Sequence, residues 1–190
     1  VWANDNKTLF YTKKDPVTLR SYRILKHVLG TAISEDVVVY EETDEKFNVG
    51  VGKTKSDEYI MIGSSSTLSS ETRYIHADDP NSEFLVIQER EDDHEYSVSH
   101  YLDSFYITTN ADGAKNFKLV KTNINSPSRA NWVDVIPHRN DVLFEGIEIF
   151  EKYLVLEERR DGLTSIRIKS WDASEDYYLE FNDPAYMAYV

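Results

Sequence analysis

Apolar and polar residues along this chain alternate in short runs, and the clearest pair lies between Tyr153 and Lys169. Tyr153 to Glu157 is apolar and rich in residues that favour strands, Ile166 to Lys169 alternates apolar with basic, and Asp161-Gly162 stands between them. Asp-Gly supplies the positive φ values of a tight hairpin turn, so the stretch predicts two antiparallel strands. Upstream the same pattern predicts, in a first unit, a short strand at Trp2, then Leu9–Thr12, Tyr22–Val28 and Val37–Glu41. A second unit offers Phe47–Lys53, Tyr59–Ile62, Thr72–His76 and Phe84–Ile87, and a third Glu95–Tyr101, Phe105–Thr109, Phe117–Thr122 and Trp132–Ile136. The fourth holds Leu143–Phe150, Tyr153–Glu158, Ser165–Lys169 and Tyr177–Phe181.

The second strands of the four units begin at Leu9, Tyr59, Phe105 and Tyr153, so successive units are offset by 50, 46 and 48 positions. The third strands agree in detail, with a basic residue flanking apolar ones in Arg23-Ile24-Leu25-Lys26, Arg73-Tyr74-Ile75-His76, Lys118-Leu119-Val120-Lys121 and Arg167-Ile168-Lys169. Four antiparallel strands per roughly 40 to 50 residues, with turn signals between them, is the pattern of β-propeller blades. A sandwich or barrel has similar strands without the repeat. The fold class expected is therefore all-β, a β-propeller segment of about four four-stranded blades at 1–42, 47–87, 95–136 and 143–181, with 182–190 starting another. In such blades the first strand borders the central channel. In F-N-V-G-V-G-K-T, alternation turns Phe47, Val49 and Val51 to the packing between blades and Asn48, Gly50 and Gly52 to the lumen.

Composition narrows the function classes. The formal charge is -13, from 34 acidic and 21 basic residues, which disfavours nucleic acid and anionic membranes as partners; it favours cationic ligands if focused in a cleft, and otherwise serves solubility. There is no cysteine, which excludes disulfides, thiolate catalysis and Cys-ligated zinc, and suits a reducing, cytoplasmic setting. No apolar run approaches the roughly 20 residues of a membrane helix. The chain opens without Met and ends in Y-M-A-Y-V, which reads as a strand, so a segment of a longer protein is expected.

No catalytic constellation emerges from the motifs. Gly63-Ser64-Ser65-Ser66-Thr67 begins like a nucleophile elbow, but Thr67 replaces the second glycine and no helix follows. His94-Glu95 with His100 misses the spacing of a helical zinc pair, and His27, His76 and His138 have no evident partner. Asn6-Lys7-Thr8 matches the glycosylation sequon without other signs of secretion. The acidic runs Glu41–Glu45 and Glu89–Asp93 read as solvated interblade loops that would attract basic peptides if gathered at one mouth. Glu157, Glu158 and Arg159 read as a paired, mostly solvated strand end. No catalytic, metal or cofactor-binding residue is therefore assigned.

Particular segments carry a family resemblance over nearly the whole chain. D-P-V-T-L at 15–19, H-V-L-G-T at 27–31, S-E-D-V-V-V-Y-E-E at 34–42, D-H-E-Y-S at 93–97, K-N-F-K-L at 115–119, E-E-R-R-D-G-L-T-S-I-R at 157–167 and F-N-D-P-A-Y at 181–186 resemble the propeller of the prolyl oligopeptidase family, and within it the oligopeptidase B branch. The resemblance implies a seven-bladed propeller of roughly 330 residues. It also implies that this propeller caps an α/β-hydrolase domain, whose serine, aspartate and histidine triad cleaves short peptides after Lys or Arg. No position here matches that triad. The hydrolase domain of the same parent chain and short basic peptides are the implied partners, the exposed ends of an open arc imply self-association, and no cofactor is implied. A free-standing propeller acting as an interaction scaffold, and a small enzyme using its own Asp, Glu and His, are the alternatives.

Overall fold

The computed structural model describes residues Val1–Val190 as four antiparallel sheets in chain order. The first contains β1 (Thr8–Lys14), β2 (Ser21–Val28) and β3 (Val37–Glu41). The second contains β4 (Asn48–Lys53), β5 (Tyr59–Ser65), β6 (Ser70–His76) and β7 (Leu85–Gln88). The third contains β8 (Tyr96–Tyr101), β9 (Ser104–Thr109), β10 (Lys118–Asn123) and β11 (Val133–Ile136). The fourth contains β12 (Leu143–Ile149), β13 (Tyr153–Arg160), β14 (Leu163–Ser170) and β15 (Asp176–Tyr178). Each is a meander with neighbours in sequence paired in space. The all-β propeller segment expected from the repeat is the observed architecture.

Two details differ from expectation. The first sheet has three strands, because Trp2 makes only an isolated bridge to Leu9. Val1 and Ala3 bond the β1 backbone through Phe10 N to Val1 O and Ala3 N to Thr8 O, both 2.9 Å, a ladder too short to count as a strand. At the other end Y-M-A-Y-V forms no strand, since within this chain it finds no neighbour to share a ladder. Its one backbone tie to the blade is Val190 N, which donates to the Glu157 carboxylate at 2.8 Å.

Three hydrophobic clusters lie between successive sheets. Phe10 and Ile24 meet Val49, Ile60, Ile62 and Ile75; Tyr59, Tyr74 and Ile87 meet Tyr96, Phe105, Ile107 and Val120; Tyr106, Leu119 and Ile136 meet Phe144, Ile149, Leu154 and Leu156. Period-two alternation produces this: on β9, Phe105 and Ile107 point into the second cluster while Tyr106 points into the third. Inner sheets therefore bury both faces, and sheet packs on sheet around an arc. The second cluster is held by aromatic edges, with Tyr59 and Phe105 centroids 5.4 Å apart and Tyr74 and Phe105 5.0 Å apart.

The repeated basic residue of the third strands acquires a cause in three of the four units, whereas Arg73 of the second pairs with Glu71 on its own strand at 2.7 Å. Arg23 pairs with Glu41 at 2.9 Å, Lys118 with Asp134 at 3.1 Å and Arg167 with Asp176 at 2.7 Å, each carboxylate sitting on the adjacent fourth strand. Such cross-strand pairs contribute only tenths of a kcal/mol, about 0.2–1 each, but they favour one register. In the first three units the turn after the second strand also clamps the linker to the next blade. Arg20 donates to the carbonyls of Glu42, Asp44 and Phe47 at 3.2, 3.2 and 2.9 Å. Ser69 Oγ accepts from Asp93 N at 3.1 Å, and Asn116 Nδ2 donates to the carbonyls of Arg139 and Asn140 at 3.1 and 3.0 Å.

Candidate functional site

The first strand of each complete blade lies at a sheet edge, and between these strands the arc is hollow. Along β4, Val49 is buried in the first core cluster whereas Asn48, Gly50 and Gly52 are exposed, as the alternation predicts. Nothing lies within 4 Å of a Cβ built on Gly50 or Gly52, so these glycines border open space. They line a cavity of about 570 Å³ whose far wall is β8. A second cavity of about 420 Å³ adjoins it, sharing Ser65, Ser70, Tyr96 and Ser97, and reaches Phe117 of the third blade and Leu143 to Glu145 of the fourth. A β-bulge at Phe144 to Gly146 bends the start of β12 at its wall.

The comparisons decide what this arc belongs to. The description "Prolyl oligopeptidase, N-terminal beta-propeller domain" matches over residues 1–190. The chain belongs to the prolyl oligopeptidase family. It is 47% identical over 177 residues to "Dipeptidyl aminopeptidase BI" of Pseudoxanthomonas mexicana, covering 93% of this chain and 24% of that protein. To "Protease 2" of Moraxella lacunata it is 32% identical, covering 87% of this chain and 23% of the relative. The solved oligopeptidase B from Leishmania major superposes with a TM-score of 0.89 at 30% identity, over 97% of this chain and 27% of that one. The chain thus spans about a quarter of the length of the relatives it matches.

In this prolyl oligopeptidase propeller the residues singled out by motif have structural surroundings. Ser64 is 2% exposed and lies on β5, which runs to Ser65, past the expected end at Ile62; its hydroxyl donates to Glu42 Oε2 at 2.6 Å, and the chain then turns into β6 with no helix. Thr8 of the sequon is buried and donates to Asp5 Oδ2 at 2.7 Å. His94 stacks on Tyr96 and meets Thr109 Oγ1 at 3.0 Å, while His100 meets Ser56 Oγ at 2.8 Å. Burial lowers the pKa of both histidines, which favours neutral imidazoles. His27 does have a partner: Asp36, which its Nδ1 meets at 2.6 Å and to which the Tyr11 hydroxyl donates at 2.6 Å. The Tyr11 hydroxyl, and after it His27, hold Asp36 below the usual carboxylate range. This cluster ties the short 3₁₀ turn Ile33–Glu35 to the first hairpin, and no sequence spacing announced it.

Two acidic groups expected in solvent are buried instead. Glu42 is 4% exposed. Its carboxylate accepts from Arg90, from Ser64, from Tyr40 OH at 3.0 Å and from Asp44 N at 2.9 Å. Burial alone would raise its pKa, but Arg90, Ser64 and the Asp44 N–H outweigh burial and bring it to about 2. Because Arg90 belongs to the second acidic run, the two runs are stapled to each other. Its guanidinium also sits 3.9 Å from the Phe47 ring centroid, and its backbone N donates to Glu71 Oε2 at 3.1 Å. Likewise Glu158 is 1% exposed, accepting from Arg139 and from Tyr178 OH at 2.8 Å. Period two explains the correction: Leu154, Leu156 and Glu158 share the inward face of β13, whereas the exposed Arg159 forks onto Glu145 at 2.7 and 3.2 Å.

Proposed function

We propose that this chain is the non-catalytic propeller segment of an oligopeptidase B-like serine peptidase that cleaves short peptides after Lys or Arg, and that the propeller restricts access of large substrates to the active site. The single observation that carries this reading is the similarity to oligopeptidase B over almost the whole chain, at a TM-score of 0.89. In it, the serine, aspartate and histidine triad belongs to a hydrolase domain of the same parent chain, no residue among these 190 is catalytic, and no metal or cofactor takes part. A hollow arc over an active site admits short flexible chains and excludes folded proteins by size. The charge of -13 concentrates cationic peptides. A cytoplasmic setting completes the proposal.

A second reading follows from the 47% identity to a protein named dipeptidyl aminopeptidase, namely that the parent releases dipeptides from free amino termini. Both readings are tested on the enzyme that carries this chain, using an N-blocked arginyl amide, a dipeptidyl amide with a free amino terminus, and a folded protein with exposed Lys and Arg. Cleavage of the blocked arginyl substrate and sparing of the folded protein are expected. Cleavage only of the free dipeptidyl amide selects the second reading, and digestion of the folded protein overturns the size filter.

A further inference from the structure

We propose that β8 forms an acid-released seam: protonation of His94 and His100, which bracket this strand, parts the third blade from the second and opens the lumen cavity of about 570 Å³ sideways. The proposal stands on the packing of this chain and does not need the peptidase reading. β8 is the inner strand of the third blade, and its polar ties to the second blade run through its two ends. At one end Ser70 N donates to His94 O at 3.0 Å, while Ser70 Oγ donates to Tyr96 O at 2.9 Å and accepts from Tyr96 N at 2.7 Å. At the other, His100 Nδ1 meets Ser56 Oγ at 2.8 Å. Between these ends the lumen side of the seam is unfilled. Gly50, Gly52 and Gly63 have nothing within 4 Å of an added Cβ, and with Ser97 and Val98 of β8 they line the cavity. The seam is therefore held by the aromatic cluster on its outer side and by the two histidine ends.

Both imidazoles are buried, His94 at 4% and His100 at 3% exposure. In each ring one nitrogen meets a hydroxyl, Thr109 or Ser56, and the other, His94 Nδ1 or His100 Nε2, is buried with no hydrogen-bond partner. An imidazolium has two N–H donors, so protonation leaves a buried charge with one donor unsatisfied. The surrounding charges do not offset this. Around His94, Glu91 and Asp112 are already engaged by Arg129 at 2.9 and 2.8 Å, and Arg129 itself opposes a second cation. The Tyr96 phenol stacked on it stays protonated, its pKa pushed up to about 12 by burial. Around His100, Glu58 and Asp103 favour the cation and His76 opposes it, while burial also keeps the Tyr59 phenol neutral. Burial outweighs the carboxylates at both rings, so each titrates below the ordinary 6.5. The parted state binds protons that the closed state refuses. The closed seam is thus fully held above about pH 6.5 and loosens as pH falls below it.

Amide hydrogen exchange of the 190-residue chain at pH 7.5 and 5.5, each corrected for intrinsic rates, tests the seam. One pH unit below 6.5, each histidine contributes up to about tenfold to the open population. Protection of β8 is therefore expected to fall about tenfold or more, while the β13–β14 hairpin keeps its protection. His94→Gln and His100→Asn place an uncharged amide near the bonded ring nitrogen, and the double variant should lose the pH effect in β8. If one substitution alone removes it, the release belongs to that histidine. A second measurement leaves the histidines in place. The chain has no cysteine, so Ile107→Cys, facing the second blade, and Leu156→Cys, between the third and fourth, each report one seam to a maleimide. Both positions are 0% exposed, and the ratio of their labelling rates cancels the thiol's own pH dependence. That ratio should rise about tenfold from pH 7.5 to 5.5. An unchanged ratio, a loss of protection spread over all four sheets, no loss at all, or a loss surviving in the double variant overturns the seam.

Discussion

Arg90→Met tests the buried staple between the two acidic linkers. The substitution keeps an apolar stem over Phe47 and removes the charge that faces Glu42, a residue 4% exposed. Breaking a fully buried ion pair from one side costs about 3–5 kcal/mol. The Arg90 side chain is 29% exposed, so solvent takes part of its role and the expected loss is about 2–3 kcal/mol at pH 7. The pH dependence carries the sharper test. The folded Glu42 carboxyl titrates at about 2, below its ordinary value of 4.5, so its contribution is fully present above about pH 4.5 and is lost as pH falls toward 2. That depression corresponds to roughly 3 kcal/mol. Without Arg90, burial and the Ser64, Asp44 N–H and Tyr40 contacts remain but the guanidinium no longer holds the carboxyl down, so its folded pKa rises toward its ordinary value. The stability difference between wild type and Arg90→Met, read from urea unfolding between pH 7 and pH 2.5, should therefore shrink as pH falls. Adding Glu42→Gln to Arg90→Met should recover part of the loss at pH 7, since no buried charge then remains. A difference that stays constant with pH, or a double variant no better than Arg90→Met, would refute an ionised, arginine-held Glu42.

Glu158→Ala should cost about 3 kcal/mol in urea unfolding by stranding Arg139 and Tyr178, whereas Glu157→Ala should change stability by less than about 0.5 kcal/mol. Tyr96→Phe removes a hydroxyl that donates to Gln88 O at 2.5 Å and accepts from Thr72 N at 2.7 Å, and should cost about 1–3 kcal/mol in the same assay. Gly162→Ala, at φ 84°, should cost about 1 kcal/mol, while Gly63→Ala, with open space at its Cβ and no positive φ, should be nearly neutral. The first and last sheets carry exposed apolar groups, including Val37 and Val38 on the edge strand β3 and Tyr177 on β15 with Leu179 just beyond it, so sedimentation of the isolated chain should show concentration-dependent association; a monomer at all concentrations would refute it.

The hairpin at Tyr153 to Lys169 illustrates how far sequence alone reaches. Its register, with Arg160 opposite Leu163 across Asp161-Gly162, follows from local turn chemistry and alternation, which are properties of neighbouring residues. The four-sheet repeat was legible for the same reason, since each blade is a meander whose strands pair with their neighbours in sequence. The third-strand basic residues were visible as a pattern, but the purpose of Arg23, Lys118 and Arg167 was not, because their partner carboxylates lie on another strand. Glu42 and Glu158 look solvated in the sequence for a related reason. A carboxylate in a charged run looks exposed until a guanidinium from a different turn, Arg90 or Arg139, is brought over it by the packing of sheet on sheet. The Tyr11, Asp36 and His27 cluster is also a tertiary fact. Sequence determined the strands, the turns and the repeat, because these depend on residues close in the chain. Only the folded arc decided which charges meet and which are buried.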